Sequence, residues 1–241
     1  MRLLIAAPPK TANVWLGKLC SVAFGLRWLT EVPAIDYWNS TDPDGLDDFL
    51  ESGRFPETAV CHQHYWPSAN LFALAKKFDI KVATTLRDPY DQFVSWYWYV
   101  QRFQEPFIAA RDPSAAMIGK SIDDETVVDF LVSRFGRVLD QGVAWLESGQ
   151  SLVVRYEDLH ERPAEILDRA ESQFEWTPMK AADEAILGAS AEKLRQESPS
   201  LRLHVRAARV GDWKNHLTDA HLRAFRQHHR SRIDRLGYEV R

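Results

Sequence analysis

Two hydrophobic patterns alternate along this chain. Leu3-Leu4-Ile5-Ala6-Ala7 is a short continuous apolar run ended by Pro8 and Pro9, as expected of a strand buried on both faces. From 14 to about 27 the apolar residues Trp15, Leu16, Leu19, Val22, Ala23 and Leu26 recur at helical spacing. Further strands are predicted over 58–61, 80–86 and 151–155, with helices over 68–78 and 90–102. Residues 39–57, rich in Asp, Gly and Pro, read as a loop holding a short helix at 46–50. Residues 121–146 read as one long helix. Ser121-x-x-Asp124 resembles a capping box, and Val127, Val128, Leu131, Phe135, Val138, Leu139 and Leu146 form an apolar stripe. Residues 103–120 have no period and contain Pro106, Pro113 and Gly119, so a long, lid-like loop is expected. The rest is mainly helical, with a loop around 198–213.

Strands that alternate with helices and have Val/Ile/Leu-rich cores imply a three-layer α/β fold, a parallel central sheet flanked by helices on both faces. With no internal repeat or linker composition, a single domain over 1–241 is the simplest reading of a 241-residue chain. A net charge of −4 disfavours a nucleic-acid binder. Cys20 and Cys61, the two cysteines, lie among apolar neighbours and read as buried free thiols. With the histidines they lack zinc-ligand spacing, so no metal is expected. The apolar N-terminus is too short for a leader or a membrane span, and no later segment runs about 18 apolar residues without a charge. A cytoplasmic protein is expected.

The loop Pro8-Pro9-Lys10-Thr11-Ala12-Asn13-Val14-Trp15 joins the first strand to a helix. In parallel sheets ligands bind at the carboxyl ends of strands, and a helix N-terminus favours an anion. Lys10 adds a charge, and Thr11 and Asn13 add donors. The segment is not a Walker A loop, because the first glycine of the chain is Gly17. On this segment alone, a strand-to-helix turn with one exposed lysine is the simpler account.

Three more segments change that balance. Pro9 to Trp15 resembles the P-K-S-G-T-T-W 5′-phosphosulfate loop of the PAPS-dependent sulfotransferase family, with Ala12 in place of Gly and Asn13-Val14 in place of two threonines. Arg87-Asp88-Pro89-Tyr90-Asp91-Gln92-Phe93-Val94-Ser95 matches the family's R-N/D-P-x-D-x-x-x-S in full. Arg155-Tyr156-Glu157-Asp158-Leu159 resembles its R-Y-E-D-L, and Gly211-Asp212-Trp213-Lys214 its G-D-W-K. The resemblance covers nearly the whole chain and implies a P-loop-like fold.

It also implies PAPS as donor and PAP as product. Lys10, Thr11, Ala12, Asn13, Val14 and Trp15 would surround the 5′-phosphosulfate, Arg87, Ser95 and Arg206 the 3′-phosphate, and Tyr156 the adenine. Ala207 and Ala208 stand where the family has lysine and glycine. The family's catalytic histidine follows the second strand, and His64, 23 residues before Arg87, fits that place better than His62. Histidine suits a general base near neutral pH, and Lys10 suits charge stabilisation on the leaving oxygen. His221, His228 and His229 lie in an Arg-rich segment that reads as a solvated face.

The expected reaction is sulfuryl transfer from PAPS to a hydroxyl or amine of a small-molecule or glycan acceptor. A P-loop-like small-molecule kinase and a non-catalytic PAP or nucleotide-binding module are the alternatives. Trp96 to Tyr99, Phe103 and Phe107 are candidates for the acceptor pocket or for core packing. Of the family's C-terminal dimer motif K-x-x-x-T-V-x-x-x-E, Lys214 and Thr218 fit while Asp219 and Arg223 do not. The oligomeric state is left open.

Overall fold

The computed structural model of the protein describes residues 1–42, 44–197 and 208–241. Strand β1 (Arg2–Ala6) leads through the Lys10 loop into helix α1 (Asn13–Phe24). Next come β2 (Arg27–Trp28), α2 (Leu46–Glu51), β3 (Ala59–Gln63), α3 (Ala69–Lys77), β4 (Ile80–Leu86) and α4 (Pro89–Arg102). Helices α5 (Gln104–Ala109), α6 (Glu125–Ser133) and α7 (Phe135–Ser148) precede β5 (Leu152–Arg155) and α8 (Tyr156–Glu161). Helices α9 (Pro163–Phe174), α10 (Ala182–Gly188) and α11 (Ala191–Glu197) follow, and the last helix is Asp219–Arg235.

The strands form one parallel sheet in the order β2-β3-β1-β4-β5. Side chains alternate across it. Leu3 and Ile5 of β1 pack with Leu16, Leu19 and Phe24 of α1, while Leu4 and Ala6 face Phe49, Leu71, Leu74 and Trp145 on the other side. A third apolar cluster joins α4, α6, α7 and the last helix through Phe93, Phe130, Phe135 and Phe225. The expected three-layer arrangement is therefore present. The chain moves outward from β1 in one direction to β3 and in the other to β4. Their carboxyl ends border the crevice where ligands bind in such sheets.

Four expectations need correction. The first helix stops at Phe24, because Gly25 takes a left-handed conformation (φ 65°), and its N–H bonds the Ser21 carbonyl. The chain is thereby freed to form β2, which pairs Arg27 and Trp28 with Ala59 and Val60. The long helix is two helices, interrupted at Arg134 (φ −120°, ψ −39°). Its N-cap is Asp124, whose carboxylate accepts the Thr126 N–H, and not Ser121. The expected long loop at 103–120 contains α5 and a 3₁₀ turn, Pro113–Met117. Finally, two histidines of the last helix are not on a solvated face. His221 completes a capping box with Thr218, and His229 donates to the Leu131 carbonyl (2.7 Å) from a buried position. His228 is exposed.

Candidate active site

Loops from four strand ends, those of β1, β3, β4 and β5, meet over the sheet. In the first, Lys10 and Ala12 both take positive φ, 66° and 81°. These left-handed positions turn the backbone sharply into α1, whose N-terminus no side chain caps. The Thr11 hydroxyl donates to the Pro8 carbonyl (2.7 Å) and accepts from Thr85 (2.6 Å). Its one proton thus closes the loop, leaving the Thr11 N–H as the group able to meet an anion. Gln92 of α4 donates to the Pro9 carbonyl (2.7 Å). Asn13 Oδ1 accepts the Val14 N–H (2.9 Å), and its Nδ2 is buried without a protein partner.

Arg87 follows β4. Its guanidinium stacks on the Tyr156 ring (4.1 Å) and reaches the Lys10 and Arg209 carbonyls (3.5 and 3.3 Å), while its Nε is buried without a partner. Ser95 lies about two turns into α4 and is partly exposed. Asp88 caps α4 through the Tyr90 and Asp91 N–H groups. Asp91, almost fully buried, accepts the N–H groups of Gly211 (2.6 Å) and Trp213 (2.8 Å). Two segments of the sequence, 87–95 and 211–214, are therefore one structural unit. His160 adds a third tether, donating to the Ala208 carbonyl (2.9 Å). Arg206 and Ala207 lie outside the described residues.

At the end of β5, Tyr156 packs edge-on to Trp15 (6.1 Å between centroids) and against the tilted ring of His160 (6.0 Å). Glu157 is a brace and not a surface acid. It accepts the Asp88 N–H (2.9 Å) and the Tyr238 hydroxyl (2.9 Å), tying β5 to the start of α4.

His64 is the first residue after β3. Its Nδ1 lies 2.8 Å from the Ala7 carbonyl, which can only accept, so the proton sits on Nδ1 and Nε2 carries the lone pair. Burial, opposed by that bond and reinforced by the Lys10 charge, lowers its pKa from 6.5 to about 4, so the ring is neutral at pH 7. His62 is on the same face, 6.2 Å away between ring centroids, and packs on Trp28 (5.5 Å). Lys10 Nζ sits over the Tyr99 ring (3.8 Å). Burial, then the charges of Arg87 and Arg102, lowers its pKa from 10.5 to about 7.

The aromatic run after Ser95 divides. Trp96 and Tyr97 are buried, whereas Trp98 and Tyr99 are partly exposed. Sequence reasoning missed the partners of this wall. Tyr37 and Trp38, on the irregular segment before α2, pack against Trp96 (6.2 and 5.9 Å), and Tyr37 lies edge-on to His64 (6.0 Å). No motif marks them.

Cations, backbone donors, two unpartnered buried nitrogens and a neutral histidine converge here. A bis-phosphorylated anionic donor fits this set. The fold and site define a nucleotide-dependent group-transfer protein. Residues 2–237 match the sulfotransferase domain, and the chain belongs to the sulfotransferase family, a class of PAPS-dependent enzymes. By structure it resembles mouse sulfotransferase SULT7A1 complexed with PAP (TM-score 0.70, 16% identity, covering 96% of this chain and 84% of that one). It also resembles retinol dehydratase, in a complex with androsterone and PAP (TM-score 0.60, 12% identity, 100% and 83% covered) and in one with retinol and PAP (TM-score 0.60, 10% identity, 100% and 84% covered). No curated protein matches by sequence. Among the described residues, no helix is long and apolar enough to cross a membrane, and no group of three His, Cys, Asp or Glu is arranged to hold a metal ion.

Proposed function

We propose that this chain, acting as one domain, transfers the sulfuryl group of PAPS to a hydroxyl or amine of a small-molecule or glycan acceptor. The observation that carries the reading is the Ala7–His64 hydrogen bond. It fixes the base by the same loop that carries Lys10 three residues on. His64 Nε2 takes the acceptor proton as the acceptor oxygen or nitrogen bonds to sulfur. Lys10 offsets the charge that grows on the bridging oxygen as the sulfur–oxygen bond breaks and PAP leaves. Arg87, with Ser95 and Arg206, holds the 3′-phosphate. The N–H groups from Lys10 to Trp15 and the Asn13 amide hold the 5′ end, while Trp15 and Tyr156 flank the adenine. That known structures of similar fold hold PAP, and in one case androsterone or retinol, supports this donor and a small-molecule acceptor.

PAP should raise the melting temperature, because it binds the native state alone. His64→Ala should keep that shift and lose sulfate transfer across an acceptor panel, and Lys10→Ala should lose rate and some donor affinity. No PAP shift, or an active His64→Ala enzyme, would count against the reading.

A further inference from the structure

Gln141 is a fully buried amide on α7. Its Nε2 donates to the His64 carbonyl (2.7 Å) and to the Tyr65 carbonyl (3.0 Å), and its Oε1 accepts the Tyr37 hydroxyl (3.0 Å). Only this orientation of the amide is consistent, since two carbonyls face one end and a hydroxyl the other. One turn later Trp145 donates to the same Tyr65 carbonyl (2.9 Å). The chain leaves β3 at Gln63, so the carbonyls of residues 64 and 65 have no strand partner. An apolar side chain at 141 would leave the His64 carbonyl without its donor. Instead α7 supplies the donor, and the acceptor on the same amide captures Tyr37, whose ring borders His64.

We propose that Gln141 is a positioning residue for the sulfuryl-transfer reaction. It sets the backbone from which the His64 imidazole projects and locks Tyr37, on the acceptor side, to that backbone. The Tyr37 segment is itself held in register by Arg137, whose Nε and Nη2 donate to the Tyr37 and Ser40 carbonyls (2.7 and 2.6 Å). The inference rests on the reading of His64 as base, but the position of the ring is testable without it.

The test uses the full chain, free of donor, with its histidines labelled for ¹⁵N NMR and the His64 signal assigned by its loss in His64→Ala. Wild type should show a single neutral ring protonated at Nδ1. In Gln141→Met, nearly isosteric but without the three bonds, the two nitrogen signals should move toward each other as the ring samples both tautomers. PAP affinity should stay within about twofold, and sulfate transfer to any acceptor the wild type uses should fall in kcat by about tenfold to a hundredfold, as misplaced reacting groups do. An unchanged His64 signal in folded Gln141→Met overturns the proposal. If that variant does not fold, Tyr37→Phe decides in its place. It deletes one hydroxyl, should move the same signal in the same direction, and an unshifted signal again overturns the proposal. An active His64→Ala would remove the base assignment and leave the NMR result standing on its own.

Discussion

Lys10 lies near half-protonation at pH 7, because burial and two neighbouring guanidinium groups bring its pKa down to about 7. At pH 8 about nine in ten of these side chains are then neutral. Bound PAP brings phosphate charge to the loop, and an anion favours the ammonium form, so the pKa rises on binding. Binding at pH 8 should therefore take up about 0.9 proton per site, and at pH 7 about half a proton. Phosphate itself titrates near pH 6, so pH 8 isolates the lysine. His64, with a pKa of about 4, does not contribute at either pH. Calorimetry of PAP binding in buffers of different ionisation enthalpy reads this uptake directly. Lys10→Arg keeps its charge at every accessible pH, so it should bind PAP with no uptake. The same logic gives kcat/KM for the donor a falling limb above pH 7, which Lys10→Arg lacks. Zero uptake by the wild type at pH 8, or equal uptake by Lys10→Arg, would refute the reasoning.

Two further outcomes follow from the backbone of the site. Ala12 occupies a left-handed conformation (φ 81°, ψ 24°) that costs a non-glycine residue about 1–2 kcal/mol, partly offset in Ala12→Gly by the entropy of the freer unfolded chain. Ala12→Gly should raise the melting temperature by about 1–4 °C, and a fall in thermal denaturation would contradict the strain. Asp91→Asn replaces one of two accepting oxygens by an NH₂ that faces a backbone N–H, an unsatisfied pair worth about 1–3 kcal/mol. It should lower the melting temperature by several degrees and weaken PAP binding, since 208–213 is tethered to Arg87; isothermal titration that gave wild-type affinity would show that the tether is not needed.

The legible parts of the fold were those whose signal is local. β1 and β5 hold short apolar runs, β4 is apolar apart from Lys81 and two threonines, and all three stand close to where the pattern puts them. β2 could not be read, because two residues carry no period and their pairing comes from β3. The break at Arg134 was hidden because the apolar stripe continues across it, and Gly136, two residues on, is itself helical. His221 and His229 misled because an Arg-rich helix reads as solvated throughout, whereas their burial depends on carbonyls of α6 and the segment before it. At the site, Lys10, Arg87, Tyr156 and His64 were legible through motif resemblance and are brought together. Tyr37 and Gln141 were not, because each is defined by a long-range hydrogen bond and by no neighbour in sequence.

The departures of this chain from the family motif bear unequally on the site, and the backbone shows why. Replacing Gly by Ala at 12 keeps the left-handed turn at the expense of strain, so the N–H groups of the loop keep their directions. Replacing Thr by Asn at 13 exchanges a hydroxyl for an amide whose oxygen is already engaged by Val14, which leaves a buried NH₂ as the donor. A buried donor without a partner is destabilising and becomes favourable once an acceptor meets it. The same holds for Arg87 Nε. Two buried donors without protein partners thus lie beside a lysine whose charge is suppressed, and the proposed dianionic donor would relieve both. On the proposed reading, donor affinity comes partly from ending that frustration, and proton uptake and the thermal shift with PAP should then rise together.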